Sequence, residues 1–186
     1  MTTTLLTPPA LEPVSLAEIK AYLKLDIDKE DDLLRAFLTA ARVHLEHLTG
    51  HHFITQTWRL LLEGPLGETF RLPLQPVTDI VAAAVVDIEA NITSLDVTGL
   101  SIFQAQDPAI LANIDGFLLA SNQRLQLDVE TGFGPAAEDV PEPLRLAIKM
   151  VVAEWYERRL IADPSQLPTL AKSLQPLIGS YRSLRL

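Results

Sequence analysis

Apolar residues recur at steps of three and four in three parts of the chain and at steps of two between them. Leu16, Ile19 and Leu23, with Tyr22 beside them, put one apolar face on a predicted helix over about 16–25. Ser15 followed by Glu18 has the spacing of a capping box, and Val14 with Ile19 that of a hydrophobic staple. Leu33, Leu34, Phe37, Leu38, Ala41, Leu45 and Leu48 give a longer stripe, predicting a second helix over about 29–48. Asp28 is placed to cap it, Glu30, Asp31 and Asp32 favour its positive end, and Gly50 suits its left-handed exit. A third stripe, Leu144, Ile148, Val151, Val152 and Trp155, predicts a helix over about 142–160, with Pro143 in its first turn.

Between the second and third stripes the period is two. Ile54, Gln56, Trp58, Leu60 and Leu62 alternate with Thr55, Thr57, Arg59, Leu61 and Glu63, which predicts a strand with one apolar face. Thr69 to Leu72 reads as its hairpin partner across Gly64-Pro65-Leu66-Gly67, and Val77 to Ile88 as a further strand. Residues 89–116 show no clean period beyond short strand-like pieces around Thr98–Phe103, broken by Asp107-Pro108. Leu125, Leu127 and Val129 alternate with Arg124, Gln126, Asp128 and Glu130, a strand with its apolar side turned inward. Residues 1–14 read as an extended arm, because Pro8, Pro9 and Pro13 block helix. Leu167, Leu170, Leu174, Leu177 and Ile178 fit either a short amphipathic helix across Pro176 or an extended arm.

Composition narrows the chemistry. The 186 residues suit one domain with tails, and 48% hydrophobic with 21% charged residues is ordinary for a globular chain. No cysteine is present, which excludes disulfides and thiolate ligands or nucleophiles. No apolar run approaches the ~20 residues of a membrane span, and Met1 to Pro9 lacks the charge and length of a signal peptide. The expected setting is therefore a reducing cytoplasm. The formal charge is −9; residues 164–186 hold Lys172, Arg182 and Arg185 and no acid, +3, so the rest carries −9 − 3 = −12. An acidic body is the opposite of a nucleic-acid footprint, while a basic tail suits an acidic partner surface.

Candidate catalytic motifs are sparse. His44, His47, His51 and His52 crowd into nine residues, and His44, His47 and His51 could be imagined around a metal. No His-Glu-x-x-His pattern supports that, and histidines near a helix C-terminus are also favoured by its dipole. There is no Gly-x-Ser-x-Gly elbow and no phosphate-cradling glycine loop. The first two helices imitate a helix-turn-helix, but Lys29-Glu30-Asp31-Asp32 would drive three carboxylates at the phosphates. Trp155, Tyr156, Arg158 and Arg159 combine the residue types enriched at interface anchors, so an inter-subunit surface is expected there alongside a core role for Trp155.

One resemblance spans residues 8–160. It rests on Pro13-Val14-Ser15-Leu16-Ala17-Glu18-Ile19-Lys20, the Asp-rich start of helix two, and Thr49-Gly50 leading to Gln56-Thr57-Trp58-Arg59. Leu72-Pro73-Leu74-Gln75-Pro76-Val77 and Val140-Pro141-Glu142-Pro143-Leu144-Arg145-Leu146-Ala147-Ile148 complete it. In this ordered set the chain resembles the head–tail connector proteins (adaptor or head-completion proteins) of long-tailed phages, prophages and gene transfer agents. The resemblance implies an α+β fold that is mainly a helical bundle, with two N-terminal helices plus one long C-terminal helix. A β-rich segment over about 54–131 would be inserted into it. An extended tail over 163–186 would follow a connector domain over 15–162.

It also implies a structural virion protein and not an enzyme. It would form a dodecameric ring between the portal protein and a tail-side connector or tail terminator, assembled in the bacterial host cytoplasm. The ring would extend the DNA channel without binding DNA specifically; no cofactor, metal or membrane is implied. An acidic channel wall would repel passing DNA, and a cyclic ring needs two different patches on each subunit. Leu174, Leu177, Ile178, Tyr181, Arg182, Leu184 and Arg185 are expected to order against the portal, so that deleting 170–186 removes portal binding and spares the fold. The competing readings are a small metal-dependent enzyme built on His44, His47 and His51, and another tail-assembly protein.

Overall fold

A computed structural model describes residues 1–26, 28–65, 69–103, 109–113, 119–158 and 170–181. In chain order its elements are β1 (Thr2–Thr7), α1 (Leu16–Leu23), α2 (Asp31–Thr49), β2 (Gln56–Glu63), β3 (Thr69–Arg71) and β4 (Val77–Val86). They continue with β5 (Ile92–Leu95), β6 (Leu100–Phe103), β7 (Ile110–Asn113), β8 (Arg124–Thr131), α3 (Glu142–Arg158) and α4 (Leu170–Ile178). The chain forms two compact units, each made of two segments: 1–10 with 55–133, and 11–54 with 134–186.

The first unit is a β structure in its own right. Five strands in the order β1-β2-β8-β4-β5 form one antiparallel sheet, and β3-β7-β6 form another. β2 and β8 pair over eight residues in unbroken register, Gln56 opposite Thr131 through Glu63 opposite Arg124. That register lines Leu60 and Leu62 up with Leu127 and Leu125, all at most 1% exposed. β4 joins the other side of β8 through two register shifts and adds Val77, Ile80 and Ala83 to the same buried cluster. Leu100, Ala109 and Leu111, from the three-stranded sheet and its approach, complete it. On the other face of the large sheet Arg59 grips Asp128 with two hydrogen bonds, Nε to Oδ1 and Nη2 to Oδ2, each 2.7 Å.

The second unit is helical. The capping box forms as the spacing predicts: the Ser15 amide donates to Glu18 Oε2 at 2.9 Å and the Glu18 amide to Ser15 Oγ at 3.2 Å. Val14 and Ile19, the staple pair, are fully buried. Leu34, Leu38, Ala41 and Leu45 of α2 are buried, as are Leu144, Ile148, Val151 and Val152 of α3, which packs against it. Gly50 closes α2 at φ 75°, where a side chain would be strained, and its amide bonds Glu46 O at 2.8 Å.

Five expectations are corrected. The fold is a mixed α+β structure with eight strands in two sheets among the described residues, not mainly a helical bundle with an insert. The reason is energetic: the strands bury an apolar cluster of their own and have no need of the helices for one. The arm contributes β1, whose neighbour β2 lies some fifty residues on. Thr69–Arg71 pairs with β7 and not with β2. The tail is not extended over Leu170–Ile178, which is α4 with Pro176 inside. Proline there removes one donor, while Leu174 and Ile178, four residues apart, are both buried. Nor does Asp28 cap α2: its carboxylate takes Lys20 Nζ at 2.5 Å instead.

Candidate functional site

The residues expected at an interface lie along α3 in the helical unit, and each described one engages a partner there. Trp155 meets Phe37 edge-on, with ring centroids 6.1 Å apart at 68°, and His44 at 6.1 Å and 55°. These contacts suit an aromatic whose one face packs and whose other stays half-open. Tyr156 Oη donates to Glu30 at the start of α2. Arg158 pairs with Glu154 one turn back at 3.1 Å. Arg159 lies outside the described residues.

The C-terminal candidates divide. Leu174 and Ile178 are buried at 1% and 3% exposure, on the helix that packs against α3. Leu177 is half-buried, and Tyr181 sets its ring edge-on to His51 at 6.4 Å. Arg182, Leu184 and Arg185 lie outside the described residues.

The four histidines do not converge. His44 and His47 are exposed on α2, whereas His51 is buried past the helix end, its amide donating to Thr49 Oγ1 at 3.2 Å. Among the described residues no group of three or more His, Asp or Glu is placed to hold a metal. His52 is held neutral: burial, then the positive charges of Arg42 and His51, push it down to about 4.

The sign of the consequence follows. An unfolded chain with His52 near 6.5 takes up a proton between pH 6.5 and 4 that the folded chain refuses. Stability is therefore complete above pH 6.5 and falls as pH drops toward 4. His52→Gln should lose less stability than the parent between pH 7 and 4.5, by about 2 kcal/mol at ~1.4 kcal/mol per pH unit. Urea titrations of both proteins at the two pH values check this, and equal losses would refute it.

Two arginines that the sequence reading passed over organise this unit. Arg42, 7% exposed, sends Nε to Glu12 at 2.8 Å and Nη1 to Glu46 at 2.9 Å. Burial alone would lower its pKa, but the hydrogen bonds and charges of Glu12 and Glu46 outweigh that and raise it. Glu46 in turn accepts the Phe53 amide at 2.9 Å, which holds the chain just beyond α2. Arg145 binds Pro13 O at 3.0 Å, Glu18 at 2.6 Å and Glu142 at 2.9 Å. It thereby clasps the capping box of α1 to the first turn of α3.

Burial works to raise the Glu18 pKa, but the Ser15 hydrogen bonds, with Arg145 and Lys149 behind them, bring it below the ordinary value. Both arginines carry a legible signal. Arg42 interrupts an apolar stripe between Ala41 and Leu45, and Arg145 stands in a first turn where the helix dipole disfavours a cation. A charge in such a place needs a partner.

What this arrangement offers is a braced surface. Arg42 reaches Glu12 and Arg145 reaches Glu18, each tying two separate segments of the chain together. The comparisons agree. Residues 13–97 match the family described as phage gp6-like head-tail connector protein. No curated protein matches the chain. Among solved structures, the neck of an empty GTA particle computed with C6 symmetry superposes with a TM-score of 0.85 at 24% identity. The virion of a native gene transfer agent (GTA) particle gives 0.83 at 24%. The neck of a native GTA particle computed with C12 symmetry gives 0.78 at 26%. Each superposition covers 100% of this chain and 97% of the other. At 24% identity the first two establish the fold. The sequence match over 13–97, a little under half of the chain, makes that stretch similar to the phage gp6-like head–tail connector proteins.

Proposed function

We propose that this chain forms a ring at the head–tail interface of a virion or phage-like particle, between the portal protein and the tail. DNA would pass through the ring without specific binding. One observation carries the reading: the connector match at 13–97 lies within a chain that superposes along its whole length on a subunit of a twelve-fold neck. The charge supports it. A body of −12 set around a channel keeps a polyanion moving, and a +3 tail suits docking on an acidic surface. Among the described residues no helix is long and apolar enough to cross a membrane.

Mass photometry of the purified chain, alone and with its cognate portal protein, tests the reading. A large defined assembly in the mixture is expected. A monomer indifferent to portal at every concentration would overturn it.

For the portal contact we retain the C-terminal segment, with Leu177, Tyr181, Arg182, Leu184 and Arg185 as its anchors. Leu174 and Ile178, being buried, would hold α4 in place. Deletion of 170–186 is then a poor probe, since it uncovers apolar surface as well as removing anchors. Charge reversal by Arg182→Glu with Arg185→Glu is cleaner. It should weaken portal binding about tenfold or more while leaving the melting temperature unchanged. Unaltered binding would remove the tail from the contact.

A further inference from the structure

The five-stranded sheet ends in two edges among the described residues, β1 and β5; β5 is only four residues long and β1 has an irregularity between Leu5 and Thr7, but neither carries a charge or a proline. Natural edge strands are blunted by lysine, proline or inward-pointing charge. Thr2-Thr3-Thr4-Leu5-Leu6-Thr7 and Ile92-Thr93-Ser94-Leu95 contain none of these. Every residue of β1 is exposed, so it adds to the sheet while burying almost nothing of itself. Among the described residues, six of the ten exposed large hydrophobics lie at or beside these margins: Met1, Leu5 and Leu6 at one, Ile88 and Ile92 at the other, with Val81 on the adjoining strand; Leu11, Tyr22, Val43 and Phe103 lie elsewhere.

The β5 margin is also pre-formed. Asp87 accepts the amides of Glu89 and Asn91 at 2.8 and 2.9 Å and the Asn91 side-chain amide at 2.8 Å, which fixes the turn that presents Ile88.

We propose that neighbouring copies of this chain join edge to edge, β1 of one copy pairing with β5 of the next. The occupant of each edge is then a second copy, and strand polarity says why. All neighbours in this sheet are antiparallel, so with five strands β1 and β5 run in the same direction. Repeating the sheet around a cyclic axis preserves direction and brings β5 beside the next β1 in parallel. That contact is heterologous, the kind a closed ring requires. A β1–β1 or β5–β5 contact would be antiparallel and two-fold, and would stop at a dimer. Backbone hydrogen bonds would hold the join, with Leu5, Leu6 and Ile92 losing water as it forms. This interface rests on the ring reading above and specifies how its subunits meet.

The chain has no cysteine, so cross-linking has no background. Thr3→Cys with Thr93→Cys in one full-length chain, and Thr4→Cys with Ser94→Cys as a second pair in the same parallel register, are treated with a short bis-maleimide. The probe is applied with the portal protein present, while mass photometry records assembly independently. All four positions are exposed, so melting temperatures should match the parent. The expected result is a ladder of covalent multimers from either double variant, and a cross-linked dimer when the two single variants of a pair are mixed. Self-linking of Thr4→Cys alone would replace the proposal with a two-fold β1 contact. Assemblies of ring size without the ladder would overturn this interface and leave the ring standing. Neither assembly nor ladder would remove both.

Discussion

Arg42→Ala is expected to destabilise the chain by about 3 kcal/mol, which for a protein of this size lowers the melting temperature by about 6–12 °C. The size comes from what remains behind. Glu46 has a side chain only 10% exposed and loses the cation it faces at 2.9 Å, while still bound to the Phe53 amide. Removing one member of a buried pair leaves the other charge uncompensated, which is costlier than never having had the pair. His52 should respond as well. Without the repulsion of Arg42, its pKa should rise from about 4. Glu12→Gln makes the contrast, because the Glu12 side chain is 27% exposed and water can replace much of what it supplies. About 1 kcal/mol or less is expected for it. Thermal melts of the two variants side by side are the check. Equal losses would mean that Arg42 acts through its packing alone.

Leu127→Ala should cost about 3–4 kcal/mol. Leu127 is fully buried in the central strand of the larger sheet, with Leu60 beside it on one side and Ala83 on the other. Both neighbouring strands are fixed by hydrogen-bonded ladders, so the site cannot close over the missing atoms, and the cavity adds to the lost burial. Ile88→Ala, at a residue 80% exposed, should change folding stability by no more than about 0.5 kcal/mol. In urea, Leu127→Ala should move the midpoint and leave the slope unchanged. A loss near 1 kcal/mol would indicate that the β unit tolerates repacking at its centre.

Much of this was legible from periodicity where an element has one wet face and one dry one. The stripe Leu34, Leu38, Ala41, Leu45 and the alternation Leu125, Leu127, Val129 are buried as their spacing predicts. Where burial is weak, the signal failed. β1 hides no side chain, so Thr2–Thr7 has no alternation to read, and nearby prolines drew it into an arm. β5 and β7 are four residues each, too short for a period to show, while the strand-like pieces read around Thr98–Phe103 match β6.

Pairing was the other gap. Thr69–Arg71 follows β2 closely in sequence, yet its partner is β7, some forty residues on. Local pattern says nothing of such choices. Of the candidate surface, residue types were legible and neighbours were not: Trp155 gave no hint of Phe37, nor Tyr156 of Glu30. The two arginines that brace the helices could have been found, because each occupies a place its own element disfavours.

That each compact unit is made from two separate stretches has a consequence for synthesis. α2 ends at Thr49 and α3 begins at Glu142, so the 142 − 49 − 1 = 92 residues between them must be translated before the helix that covers Leu34, Leu38 and Leu45 begins to appear. At ~5–20 residues per second that is roughly 5–20 s with the stripe uncovered on the ribosome. Neither unit can be finished and set aside while the other is made. β2 waits for β8, and the first helices wait for the third. The chain must therefore reach its native state late in translation or after release, with its apolar helix face as the stretch most in need of protection until then.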